Sequence, residues 1–183
     1  MPSPIAHATA GYVIFQILKD RLPERWRTLR QGGWLVLGAV ICLALLPDLD
    51  AIPGVLSGNL KRYHNNLTHS VLLALPVGLA VAALARRFRI GSARWWFAAA
   101  FLGYALHVGM DYLTWGRGVM AFWPLTAARF RPAAFAFAGL GWNDPLSSSR
   151  HWLTLQNEFA FTLVTLLLTV LATRLRRRCA PGR

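Results

Sequence analysis

His107-Val108-Gly109-Met110-Asp111 puts an imidazole and a carboxylate four residues apart. On a helix that spacing stacks both on one face, so a nitrogen and an oxygen donor can grip one cation. Three more groups of the same chemistry come earlier: His7, Asp48 with Asp50, and His64 with His69. The four groups take up four of the five histidines and three of the seven acidic residues. Each lies at the edge of a strongly apolar stretch, where an ionisable side chain is costly unless something compensates it. A divalent metal does so, and a mixed imidazole and carboxylate set suits zinc or manganese.

Each group also has a plainer reading. His107 and Asp111 can simply pair, His64 can be an exposed loop histidine, and Asp48 and Asp50 can cap the outer end of a loop. His7, one turn after a Pro4 suited to open a helix, is weak evidence by itself. Thr68 is placed to cap a helix starting at Ser70. Taken together, His7, Asp48, Asp50, His64, His69, His107 and Asp111 make a ligand set large enough for two or three ions. Asp48 and Asp50, hard oxygen donors one residue apart, suit bridging between metals, and either can serve as a general base.

The elements that must carry these residues are apolar. Hydrophobic residues make up 55% of the chain, mean hydropathy is +0.39, and charged residues amount to only 15%. A soluble domain carries about a quarter charged residues, so the composition is that of a membrane protein. Apolar runs cover about Ile5–Lys19, Trp34–Pro47, Ser70–Ala85, Trp95–Met110 and Phe159–Thr173. Each is nearer ~15 residues than the ~20 a bilayer asks for, and each can be lengthened at one end by the polar clusters if a metal satisfies them. The expectation is all-α: a single domain over residues 1–183, an integral membrane bundle of about five helices with the metal site at its outer end.

The formal charge of +13 suggests nucleic acid at first, but the basic residues are sorted by loop and not gathered on one helix face. Fourteen of the twenty follow the first run, join the third to the fourth, or end the chain. The other six are Lys61, Arg62, Arg117, Arg129, Arg131 and Arg150. The positive-inside rule then puts the N-terminus outside and the C-terminus inside, and argues against a nucleic-acid partner. With that topology every candidate ligand reaches the outer face, although charge and ligand clusters are read from different residues.

Other features carry less. No basic n-region or small-residue cleavage site marks a signal peptide, and Cys42 and Cys179 lie in settings too different for a disulfide. Trp115, Trp123, Trp142 and Trp152 on the outer side, with Trp95 and Trp96 on the inner, read as interfacial belts in contact with membrane lipids. Asp144 sits in a turn-forming Trp142-Asn143-Asp144-Pro145, and Glu158, two helical turns after His151, either joins the site or reaches for water. Residues 129–142, rich in Ala, Phe and Gly, form an ordered lid or a loose loop.

Met1-Pro2-Ser3-Pro4-Ile5-Ala6-His7, the Leu-Pro-Asp-Leu-Asp of 46–50, the His-x4-His-Ser of 64–70 and the His-x3-Asp-x2-Thr of 107–114 together resemble the YdjM family. The resemblance covers the first two-thirds of the chain. It implies a membrane-bound, metal-dependent hydrolase of a LexA-regulated family. One departure stands out: the family tends towards His-Arg-Gly-x-Thr-His-Ser, where this chain has Asn65 and Asn66. The motif order is also similar to that of zinc-dependent phospholipases C, which implies an all-α bundle and phosphoester hydrolysis by analogy of fold.

The expected function is therefore a metal-dependent hydrolase of the bacterial inner membrane, its site facing the periplasm, acting on a phosphoester such as a lipid head group. The alternative is a metal transporter or a structural bundle. The inner halves of the runs, such as Leu79–Ala85 and Leu163–Thr173, are almost wholly apolar, which favours a one-sided site over a pathway.

Overall fold

The structure, a computed structural model, describes residues 2–28, 32–141, 144–145 and 147–179. Over these residues the chain is all-α, with two isolated β-bridges and no strand. Helix α1 (Pro4–Leu18) opens as its sequence dictates: Pro4 sits in the first turn and the Ser3 side chain accepts from the Ile5 amide. A short α2 (Glu24–Arg27) follows, then α3 (Gly33–Ala44). Pro47 cannot continue an α-helix, and a 3-10 turn over Leu46–Asp50 leads into α4 (Ala51–Leu56) at a bend of 57°. After α5 (Leu60–Tyr63), 3-10 turns over Leu67–His69 and Val71–Leu73 enter α6 (Ala74–Arg87). Helix α7 (Ala93–Tyr112) packs antiparallel along α6, and α8 (Ser149–Cys179) packs along α1.

The five apolar runs thus become α1, α3, α6, α7 and α8. Among the described residues only the α8 stretch Ser149–Arg176 is long and apolar enough to cross a bilayer alone; α3 with the bent segment after it passes only as a pair. The break at Pro47 lies directly at Asp48, so the residue that shortens the span also delivers a carboxylate to its end.

Where α1, α3 and α7 cross, the backbones meet without intervening side chains. A Cβ on Gly11 would lie 2.9 Å from Ile41 Cα and 3.3 Å from Ala44 Cβ, and one on Gly103 would lie 3.4 Å from Ala44 Cα. Close approach at small residues lets backbone pack on backbone, and that contact supplies packing energy at the crossing. His7, Asp48 and His107 each stand four residues beyond one of these small residues.

Beneath this crossing Ile14, Phe15, Leu18, Val36, Val40, Trp95 and Ala99 pack as one buried cluster. The belt expected from Trp95 and Trp96 does not form. Both rings turn inward, and their Nε1 groups donate to the Leu18 and Ile90 carbonyls at 2.9 and 2.5 Å. An indole whose one donor finds a carbonyl inside the bundle need not seek the interface. Trp115 and Trp152 remain exposed as expected, and Trp142 lies outside the described residues.

Residues 113–141 are ordered. Val119 and Phe130 exchange backbone hydrogen bonds at 3.0 and 2.9 Å, and Ser70 Oγ ties the segment down through the Ala121 and Trp123 carbonyls.

Gly11→Ala is expected to destabilise the protein by about 1–3 kcal/mol, because the new methyl meets backbone and not a flexible side chain. Denaturant unfolding in detergent followed by helical circular dichroism measures it, and an unchanged midpoint would refute the tight crossing.

Candidate metal centre

All seven residues singled out by type and spacing converge. His7 comes from α1, Asp48 and Asp50 from the turn after α3, His64 and His69 from the loop before α6, and His107 and Asp111 from one face of α7. Four atoms define the centre. His107 Nε2 lies 3.3 Å from His69 Nε2, 3.3 Å from Asp48 Oδ1 and 3.7 Å from Asp111 Oδ2. His69 Nε2 is 3.6 Å from Asp48 Oδ1 and 2.9 Å from Asp111 Oδ2. Ligands about 2.0–2.1 Å from a central ion in a tetrahedron stand roughly 3.3 Å apart, and these five separations bracket that length.

The polar atoms here lack other partners. Neither His7 nitrogen, nor Asp48 Oδ1, nor either Asp111 oxygen has a well-aligned hydrogen bond, although all are buried. Buried polar groups left this way cost free energy, and a cation that takes their lone pairs removes the cost. His7 completes the wall: its Nε2 is 3.4 Å from Asp111 Oδ1 and its ring stacks on His107 with centroids 3.7 Å apart.

The supporting contacts face the right way. His107 Nδ1 donates to the Ala44 carbonyl at 2.7 Å, which fixes the tautomer and leaves Nε2 as the lone pair facing inward. Asp50 gathers the loop: His64 Nδ1 donates to its Oδ1 at 2.7 Å, and Thr68 Oγ1 donates to its Oδ2 at 2.7 Å, with His69 Nδ1 3.2 Å from that same oxygen. Asp50, His64 and His69 lie close enough to hold an ion themselves. Their hydrogen bonds make Asp50 equally the orienter that turns His69 Nε2 to the first centre.

Burial by itself raises the Asp48 carboxyl, yet the neighbouring His107 and His69 imidazoles hold it well below the usual carboxylate range. Asp50 is treated alike, its burial outweighed by His64, His69 and Thr68. For His69, burial works against protonation, but the close carboxylates of Asp111, Asp48 and Asp50 raise it well above an ordinary histidine. These shifts favour anionic carboxylates and a protonated His69 when no metal is bound, so a metal would compete with that proton.

Thr68 does not cap the following helix. Ser70 does that, its Oγ accepting from the Leu72 amide, which frees Thr68 for Asp50. Three residues with open roles fall outside the centre. Asp144 is 3.6 Å from Arg150 Nη1, and half-buried His151 lies 3.4 Å from the Asp144 carbonyl. Glu158 is buried on α8, where the Ser3 amide and hydroxyl both donate to its carboxylate. It clamps the start of α1 and so steadies His7 from a distance. Motif spacing did not single out Arg117 and Arg129, which reach the 64–66 loop; the one available signal was two outer-face arginines beside a loop bearing ligands.

With the geometry established, a family model described as YdjM inner membrane protein matches residues 1–179. The chain belongs to that family. The match runs through α8, well past the motif-bearing first two-thirds, and makes this a member of an inner-membrane family. No curated protein and no solved structure matches the chain, so its likeness to phospholipases C rests on motif order alone.

Replacing His107 or Asp111 by Ala is expected to strip most bound metal, and Asp50→Asn to weaken it about 10–100-fold, while Glu158→Gln keeps full stoichiometry. Elemental analysis of detergent-purified protein reads this. Loss of metal in Glu158→Gln with retention in His107→Ala would reassign the centre.

Metal uptake should also release protons. Because His69 is held protonated without metal, apparent affinity should rise with pH across the neutral range and fall as His69 is more fully protonated. Calorimetry in buffers of different ionisation enthalpy counts the protons, and none released at pH 7 would contradict the assignment.

Proposed function

We propose that this protein is a membrane-embedded, metal-dependent hydrolase that cleaves a phosphoester, such as a lipid head group, at the outer face of the inner membrane. The observation that carries the reading is the near-tetrahedral grouping of Asp48, His69, His107 and Asp111, in which Asp48 Oδ1 and both Asp111 oxygens lack a well-aligned hydrogen bond. A bound Zn²⁺ or Mn²⁺ would supply a water nucleophilic at neutral pH and offset charge on the phosphoryl oxygens.

The remaining work falls to the chain. His7, His69, His107 and Asp111 form a closed back wall whose side chains are fully enclosed, which excludes bulk water from three sides. Asp48 and Asp50 keep 16% and 10% of their side-chain surface open, so substrate and water approach past them. Asp48 is the more open and has fewer hydrogen bonds, so of the two carboxylates it is the one an entering water meets first and could serve as its base. Asp50, with both oxygens engaged, acts by orienting His64 and His69. His64 Nε2, 3.8 Å from Asp48 Oδ1, and the Asp50 group would take a second ion if one is used.

We further propose five spans with the N-terminus and the centre on the periplasmic side. The fourteen-to-six basic asymmetry supports it, as does the arrival of every ligand at one end of α1, α3, α6 and α7. The apolar inner halves of these helices favour a hydrolase over a transport pathway.

Purified protein reloaded with Zn²⁺ or Mn²⁺ is expected to turn over phosphoesters, lipid-like ones in micelles before soluble ones. Activity should vanish with a chelator and return with metal. Metal-dependent ion flux in proteoliposomes with no turnover would make it a transporter instead.

For sidedness, Asn59→Cys or Leu125→Cys, each in a chain freed of Cys42 and Cys179, should react with an impermeant thiol reagent from outside intact cells, and Arg87→Cys should not. The reverse pattern would invert the topology.

A further inference from the structure

Two arginines on the segment after α7 reach across to the loop that carries His64. Arg129 Nη1 donates to the Asn65 and Gly118 carbonyls at 2.9 and 3.1 Å, and its Nη2 donates to Asn66 Oδ1. Arg117 Nη2 donates to the His64 carbonyl, and its side chain is otherwise exposed. Neither has a carboxylate within ion-pair distance: among the described residues the ion pairs are Arg150 with Asp144 and the His–Asp contacts of the centre. Burial pulls both guanidiniums below their ordinary value; the charge of Asp50 partly restores Arg117, while that of Arg117 pushes Arg129 down further. Both guanidiniums are thus anchored on one three-residue loop, Arg117 at His64 and Arg129 at Asn65 and Asn66.

The side of the centre they border is its open side. His7, His69, His107 and Asp111 are sealed, and the remaining exposure is at Asp48 and Asp50. Two guanidiniums on one loop with no carboxylate in ion-pair distance leave positive charge that Asp50 offsets only in part, and a guest anion would relieve it. Arg129 is pinned by three bonds and supplies a fixed charge. Arg117, with one, keeps donors to spare, and a guanidinium fork matches two phosphoryl oxygens at once.

We propose that Arg117 and Arg129 form an anion clamp that seizes the phosphoryl group of the substrate as it enters past Asp48 and Asp50. The proposal rests on the hydrolase reading and narrows it to substrates carrying an anionic phosphoryl group, against amides and neutral esters. That group can belong to a lipid head group or to a soluble phosphoester.

Detergent-purified full-length protein, zinc-loaded and metal-free, is titrated with inorganic phosphate by calorimetry, with zinc content measured on each sample. Wild-type protein should bind phosphate, and Arg117→Gln should weaken it at least tenfold with zinc content unchanged. Arg129→Lys, which keeps the charge, should weaken it less than Arg129→Gln. Unchanged phosphate affinity in Arg117→Gln overturns the clamp. So does loss of zinc in that variant, which would make the arginine a brace for His64. Displacement of phosphate by monomeric dihexanoyl phosphatidate at least tenfold better than by glycerol phosphate assigns the lipid source, and equal displacement the soluble one. Either sustains the clamp, and displacement by neither overturns it. A wild-type protein that takes up no zinc sinks the hydrolase reading, while the metal-free titration still decides the clamp by whether Arg117→Gln abolishes phosphate binding.

Discussion

The close crossing of α1, α3 and α7 is the constraint from which the rest follows. Gly11, Ala44 and Gly103 let three backbones approach to contact, and His7, Asp48 and His107 stand one turn further along. Backbone contact leaves little freedom to slide, so the three side chains inherit a spacing set by the helices and not by their own rotamers. The same crossing puts the Ala44 carbonyl under His107 Nδ1, so packing also chooses the tautomer. A site held this way is preorganised: its geometry comes from elements that cannot move without separating the bundle.

Four histidines and three carboxylates at the end of an apolar bundle would be prohibitive singly. They are tolerated because they satisfy one another through Asp50, Thr68 and His69 on the loop side, and because the imbalance is concentrated in atoms aimed at one point. The loop side and the sealed side differ in kind. One is a hydrogen-bonded bracket with solvent at its margin, the other a wall of stacked rings and an enclosed carboxylate, and that difference gives the centre a front and a back.

Much of this was legible in the chain. The i, i+4 pair at His107 and Asp111 survives because helix geometry enforces it, and the Pro47 break before Asp48 because proline has no amide to give. The ends of the apolar runs pointed to the same seven candidate residues that the helices bring together. Other features needed the third dimension. Trp95 and Trp96 satisfy an interfacial pattern, yet their indoles find carbonyls inside, which spacing does not reveal. Thr68 and Ser70 both suit capping, and only the position of Asp50 decides between them. Glu158 lies 155 residues from Ser3, and nothing local marks the pair. Arg117 and Arg129 were visible only as charge, because all but one of their partners are backbone carbonyls, which carry no sequence signal.

The clamp of Glu158 on Ser3 has a consequence for the order in which the protein is made. All seven ligand residues have been synthesised once the ribosome has passed Asp111, but the carboxylate that fixes the first turn of α1 lies on the last helix. At about 5–20 residues per second, several seconds separate the two events. During that interval α1 is held by its crossing with α3 and α7 and not yet by Glu158. Only when α8 arrives is the first turn of α1 pinned at Ser3, so the helix is fixed first by its middle and last by its start.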